Sequence, residues 1–199
     1  MKTLETIRHG RARLAVIFFA LLAVLGVSAN SAGVVAAGPP PLTLILVRHA
    51  EKQIVPPENK DPDLSPAGSA RAEELARMFG GAGIEAIYAT QYKRTQQTVR
   101  PLSEKLGIGV TEIDAKKTPD LVAKIRARNA GQVVFIAGHN NTVPEIIAAM
   151  GGPQLPIIPE TEYDNLYIFT VQSDGTTTLL KMKYGSATAP VGNQGMTKP

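Results

Sequence analysis

The run 42–47 is apolar at every position but Thr43, begins after Pro39, Pro40 and Pro41, and stops abruptly at Arg48-His49. An aliphatic run of that length, bounded by turn residues, predicts a strand buried on both faces, as in a parallel sheet covered by helices. Ser65-Pro66 then opens a helix, with serine as N-cap and proline at the first position. Gly68, Ala72, Leu75, Ala76 and Phe79 recur at helical spacing, and Gly80-Gly81 closes it. Residues 84–90 read as a second strand and 93–106 as a second helix, ended by Gly107 and kinked or broken early by Pro101. A short strand over 109–114, a polar amphipathic helix over 119–129, an apolar strand over 132–138 and a helix over 141–150 follow. Residues 163–171 and 176–183 form two strands joined by Ser173-Asp174-Gly175, a hairpin signal. The alternation predicts an α/β fold: a three-layer α/β/α sandwich with a mostly parallel sheet and a C-terminal antiparallel hairpin.

Composition changes this picture at the ends of the chain. A length of 199 residues with 44% hydrophobic content suits one folded domain. Ahead of it, Lys2, Arg8, Arg11 and Arg13 precede an apolar run over 14–27 and then small residues, the order of a secretory signal. Cleavage after Ala29, Ala32 or Ala37 fits the small-residue rule; the competing reading is an uncleaved membrane anchor, since the run is somewhat shorter than the roughly 20 residues of a spanning helix. The expected organisation is a signal and flexible segment over 1–37, a domain over 38–185 and a poorly ordered tail over 186–199. The expected location is periplasmic or secreted, with membrane contact only through an uncleaved signal. The net charge of +4 comes mainly from that signal: without its four basic and one acidic residues, totals of 21 and 17 become 17 and 16. No nucleic-acid partner is expected from so small an excess. The chain has no cysteine, so neither a lipid anchor nor a disulfide is available.

Three predicted strand ends carry unusual residues: Arg48-His49, the segment 90–95 with Arg94, and His139-Asn140-Asn141. Parallel strands put these on one edge of the sheet, where open α/β folds bind ligands. Taken singly, each has a plainer reading: a histidine capping a helix, a solvated arginine. Together, two guanidinium groups and two imidazoles at helix amino-termini suit a phosphoryl dianion, gripped by paired hydrogen bonds and backbone N–H groups. The same cations oppose protonation of His49, leaving it free to attack.

The segments LVRHAEK, LSPAGSARAEELA, IYATQYKRTQQT and IAGHNNT, in this order, resemble the histidine phosphatase superfamily and its phosphoglycerate-mutase-like fold. The resemblance runs from about residue 42 to 150. It implies that His49 takes the phosphoryl group as a phosphohistidine that water hydrolyses. It also implies that Arg48, Arg94 and His139 hold its oxygens, with Asn140 and Asn141 as further donors. No metal and no cofactor are expected. The family supplies the leaving group's proton from a carboxyl group, and Asp114 at the third strand end is the first candidate, Glu51 the second; a phosphohistidine substrate would need none. Ala50 stands where the mutases have glycine, an asparagine expected shortly after it is missing, and a long insertion after the third strand is absent. These departures favour a small phosphatase.

The resulting expectation is a metal-independent hydrolase of small phosphomonoesters. The alternative is a phospholigand-binding or envelope-interaction protein that keeps the pocket but catalyses little. Removal of phosphate from a protein histidine is a third reading, disfavoured by export. Loops over 53–63 and 151–162 would choose the substrate. Arg71, Arg77, Lys124, Arg126 and Arg128 read as solvated helix faces, and Glu145 as a residue complementing its helix dipole.

Overall fold

Leu44, Leu46 and Val47 are completely buried and Ile45 nearly so, which is possible only for a strand with a layer of side chains on each face. In the computed structural model, which describes residues 38–188, that strand is β1 (Leu42–Arg48). It is followed by α1 (Pro66–Phe79), β2 (Ile84–Thr90), α2 (Lys93–Leu106), β3 (Val110–Ile113), α3 (Thr118–Arg128), β4 (Val133–Gly138), α4 (Thr142–Ala149), β5 (Asn165–Val171) and β6 (Thr177–Lys183). The expected signal segment and residues 189–199 lie outside the described residues.

The sheet has the order β3-β2-β4-β1-β5-β6. β1, β4, β2 and β3 are mutually parallel, while β5 runs antiparallel to β1 and forms a hairpin with β6. Leu42, Leu44 and Leu46 pack with Leu121, Ile125, Val143 and Ile147 of α3 and α4. Ile45 and Val47 pack with Leu75, Phe79, Val99 and Leu102 of α1 and α2. The expected three-layer sandwich is therefore present. Each buried aliphatic side chain of β1 contributes about 1.5–3 kcal/mol.

The chain leaves β1 towards α1 on one face and leaves the adjacent β4 towards α4 on the other. That divergence opens a crevice outside the carboxyl ends of these strands, the topological switch point at which α/β sheets bind ligands. Register fixes what lies there, because Arg48 pairs with Gly138 and His49 N donates to Gly138 O at 2.9 Å. The next residues, His49 and His139, therefore emerge side by side.

Local signals set the helix ends. Ser65 Oγ accepts from Gly68 N, and Pro66 occupies the first turn of α1. Gly107 takes φ 67° where α2 ends. α2 does not break at Pro101, as the sequence had suggested it could, but continues to Leu106; Val99 and Leu102 on either side are fully buried, and their packing outweighs the hydrogen bond that proline cannot make. β5 begins two residues later than expected, because Tyr163 turns towards the site and Asp164 binds Lys183 and Thr188.

One helix residue departs from expectation. Arg71 is not a solvated face of α1 but is only 4% exposed. Its guanidinium forks onto Glu51 through Nε and Nη2 and donates to the carbonyls of Tyr184 and Ser186. It joins α1, the loop after β1 and the start of the tail, where Thr188 is also bonded to Asp164. Arg77, Arg126 and Arg128 are exposed as expected. A second close approach lies beside Arg71: a Cβ on Gly68 would sit 2.1 Å from the carbonyl oxygen of Glu51.

Gly68→Ala is expected to destabilise the fold by about 1–3 kcal/mol in urea unfolding, through forced separation of α1 from the loop after β1. Arg71→Met, which leaves Glu51 and two carbonyls without their cation, is expected to cost about 3–5 kcal/mol in the same measurement.

Candidate functional site

Arg48 closes β1 and is almost wholly withdrawn from solvent at 1% exposure. A buried guanidinium must be matched donor by donor, and the segment after α4 supplies the acceptors. Nη1 donates to the carbonyls of Pro159 at 2.8 Å and Glu162 at 3.2 Å, and Nη2 to the Glu160 carboxylate. The Tyr163 ring lies 4.4 Å from its Cζ, a cation–π contact. Its buried Nε finds no acceptor among the described residues.

His49 is buried beside it. Its Nδ1 lies 2.8 Å from the Ala50 carbonyl oxygen, which can only accept, so the ring proton sits on Nδ1 and Nε2 keeps its lone pair. Burial pushes its pKa down to about 3, reinforced by the charges of Arg48 and Arg94 and opposed by the bond to Ala50. His49 is thus neutral across the physiological range.

His139 meets His49 edge to face, with ring centroids 5.4 Å apart. Its Nε2 is 2.8 Å from Thr90 Oγ1, which is itself 2.8 Å from Thr95 Oγ1. Thr95 can donate to the carbonyls of Thr90 and Tyr92. When it does, Thr90 donates to Thr95, and His139 donates from Nε2 to Thr90. Burial, then the nearby Arg94 and Arg48, lower the His139 pKa to about 4. Arg94, in the first turn of α2, stacks 4.4 Å over the Tyr92 ring and lies 3.7 Å from Asp61.

These side chains line one cleft of about 300 Å³, together with Lys52, Lys116, Asn140, Asn141 and Glu160. Four cations against one carboxylate leave it strongly attractive to anions. Six of the sequence-derived candidates converge here: Arg48, His49, Arg94, His139, Asn140 and Asn141. Asn140 donates to Glu160 at 2.8 Å. Asn141 donates to Glu145, which also accepts from Thr118 and so joins α4 to α3.

The two carboxylates expected as proton donors are elsewhere. Asp114 is exposed, accepts from the backbone of Lys116, and does not line the cleft. Glu51 is held in the fork of Arg71 and lines no part of the cleft either. Strand alternation would have put Glu51 on the same side as His49, but β1 ends at Arg48, and beyond it the Glu51 carboxylate turns back to Arg71 of α1. The carboxylate that does enter is Glu160, which sequence reasoning left inside the loop 151–162. Tyr163 and Lys116 were also missed. Among the described residues, no group of three or more His, Cys, Asp or Glu side chains converges as a metal site would, and no helix is long and apolar enough to cross a membrane.

Residues 44–121 match the family model of the histidine phosphatase superfamily (branch 1). No curated protein matches the chain significantly. Among solved structures, the protein histidine phosphatase SixA complexed with tungstate is similar at 17% identity and a TM-score of 0.57, over 71% of this chain and 96% of that one. A mycobacterial glucosyl-3-phosphoglycerate phosphatase matches at 14% identity and 0.56, over 73% and 99%. Bacillus stearothermophilus YhfR matches at 17% and 0.57, over 69% and 95%. The family model covers residues 44–121, and these solved structures share the fold of the chain over about 70% of its length.

Proposed function

We propose that this protein is a metal-independent phosphatase that hydrolyses phosphomonoesters through a phosphohistidine on His49. The observation that carries the reading is the Nδ1 contact to Ala50, which leaves a neutral, buried Nε2 facing a cleft of fixed cations. In the reaction so read, Nε2 attacks phosphorus in line with the departing oxygen. Arg48 and Arg94 stabilise the charge on the equatorial oxygens without reorganising, the main source of rate in phosphoryl transfer, and His139 offers an Nδ1–H once the Thr90 and Thr95 hydroxyl protons reorient and Thr90 donates to Nε2. The unpartnered Arg48 Nε supports an oxyanion ligand, since a buried donor without acceptor costs free energy until one arrives. The tungstate bound by SixA is a tetrahedral oxyanion of the same kind. Lys52 and Lys116 at the rim favour small anionic substrates. The charged-then-apolar order of residues 1–37, read as a secretory signal, supports a periplasmic or secreted location.

A second reading draws on the positions of Asp114 and Glu51 outside the cleft: a phospholigand-binding protein with little turnover. The two readings part on one measurement, hydrolysis of 4-nitrophenyl phosphate in the presence of a chelator. The wild type is expected to turn over, and His49→Ala to lose activity by roughly 1000-fold or more. Equal rates in the two proteins would falsify the phosphohistidine mechanism, and binding of vanadate without turnover would favour the second reading.

The low pKa values of both histidines have a further consequence. In the unfolded chain they take up protons near the ordinary 6.5, whereas in the fold they stay neutral down to about 3 for His49 and about 4 for His139. Proton uptake by the unfolded state alone draws the equilibrium towards unfolding. Their contribution is therefore complete above about pH 6.5 and falls away as the pH drops towards 4. Thermal melts across this range are expected to show a shallower loss of Tm in His49→Asn than in the wild type.

A further inference from the structure

A carboxylate sits where an entering phosphate must bind. Glu160 Oε2 pairs with Arg48 Nη2, and Oε1 accepts from Asn140 Nδ2 at 2.8 Å. Among the described residues it is the single acidic side chain lining the cleft. Its side chain is 69% exposed, whereas that of its partner Arg48 is 2% exposed, so the cation is fixed and the carboxylate is the part that can move.

We propose that Glu160 is the general acid, and then the general base, of this hydrolysis. The proposal rests on the phosphatase reading above and names the proton donor that reading lacks. A phosphate dianion competes for the two donors that Glu160 holds. When it takes them, the carboxylate is displaced but not released from the site. The backbone on either side remains tied down, because Pro159 O and Glu162 O both accept from Arg48 Nη1 and Ile158 N donates to Asn140 O.

In the first step, His49 Nε2 forms a bond to phosphorus as the bond from phosphorus to the leaving oxygen breaks, and Glu160 passes its proton to that oxygen. In the second, a water oxygen attacks phosphorus, the bond to Nε2 breaks, and the Glu160 carboxylate takes the water's proton. Phosphate is released, and the acid and nucleophile are restored.

A general acid matters most when the leaving group is poor. The test compares kcat/KM for phenyl phosphate and 4-nitrophenyl phosphate, substrates of similar shape whose phenolates differ in stability, in wild type, Glu160→Gln, Glu160→Asp and His49→Ala. Glu160→Gln is expected to lose about 100-fold on phenyl phosphate but under about 5-fold on the nitro compound, and Glu160→Asp to recover part of the difference. An equal change on both substrates would overturn the acid role, as would tighter inhibition by inorganic phosphate with no leaving-group dependence, which would make Glu160 a competitor for the anion site only. A wild type no faster than His49→Ala on the nitro compound would sink the phosphohistidine reading itself, whatever Glu160→Gln does. Circular dichroism on each variant confirms that the fold is retained.

Discussion

A guanidinium buried at the end of a central strand is the constraint on which this site depends. Arg48 cannot remain charged out of water without acceptors, and the sheet offers it none, since the strands on either side use their backbone groups for one another. The acceptors come from the segment between α4 and β5, which must fold back across the strand ends to deliver its carbonyls. The cation thereby organises a loop, and the loop forms one wall of the cleft. Tyr163 is drawn over the guanidinium and beside His49 by the same closure. The site is in this sense built outward from one charge.

The second organising fact is electrostatic economy around His49. Arg48 and Arg94 both depress the basicity of His49, and burial does more. A histidine in that setting resists protonation but keeps a nitrogen lone pair, because its one proton is held by the Ala50 carbonyl. His139 is held differently, through the Thr90 and Thr95 hydroxyls, whose protons can reorient. One imidazole is therefore locked in a single tautomer, and the other is coupled to a chain that can shift. On the proposed mechanism, that asymmetry divides attack on phosphorus from adjustment to the changing charge of its oxygens.

Much of this was legible in the amino-acid sequence, for physical reasons. Apolar runs such as 42–47 are readable because burial on two faces demands them, and Arg48, His49 and His139 are conspicuous because polar groups ending such runs have few ordinary uses. Parallel pairing then carried the three strand ends to one edge. The failures share a cause as well. Glu160 and Arg71 act across separations of more than a hundred residues, Glu160 on Arg48 and Arg71 on Tyr184 and Ser186, and no periodicity reports such contacts. Arg71 has the spacing of an outward residue and is turned inward by Glu51. Asp114 followed the sheet-edge rule, but its carboxylate is exposed and turned onto the backbone of Lys116, and it is Lys116 that lines the cleft.

Arg48 holds the loop over the cleft chiefly through main-chain carbonyls, those of Pro159 and Glu162, which every amino acid possesses. Substitutions along 151–162, Glu160 apart, can therefore alter what the cleft admits while the loop stays in place, because the hold of Arg48 does not read the side chains that change. The position of this wall and the chemistry it presents to the cleft become separable properties.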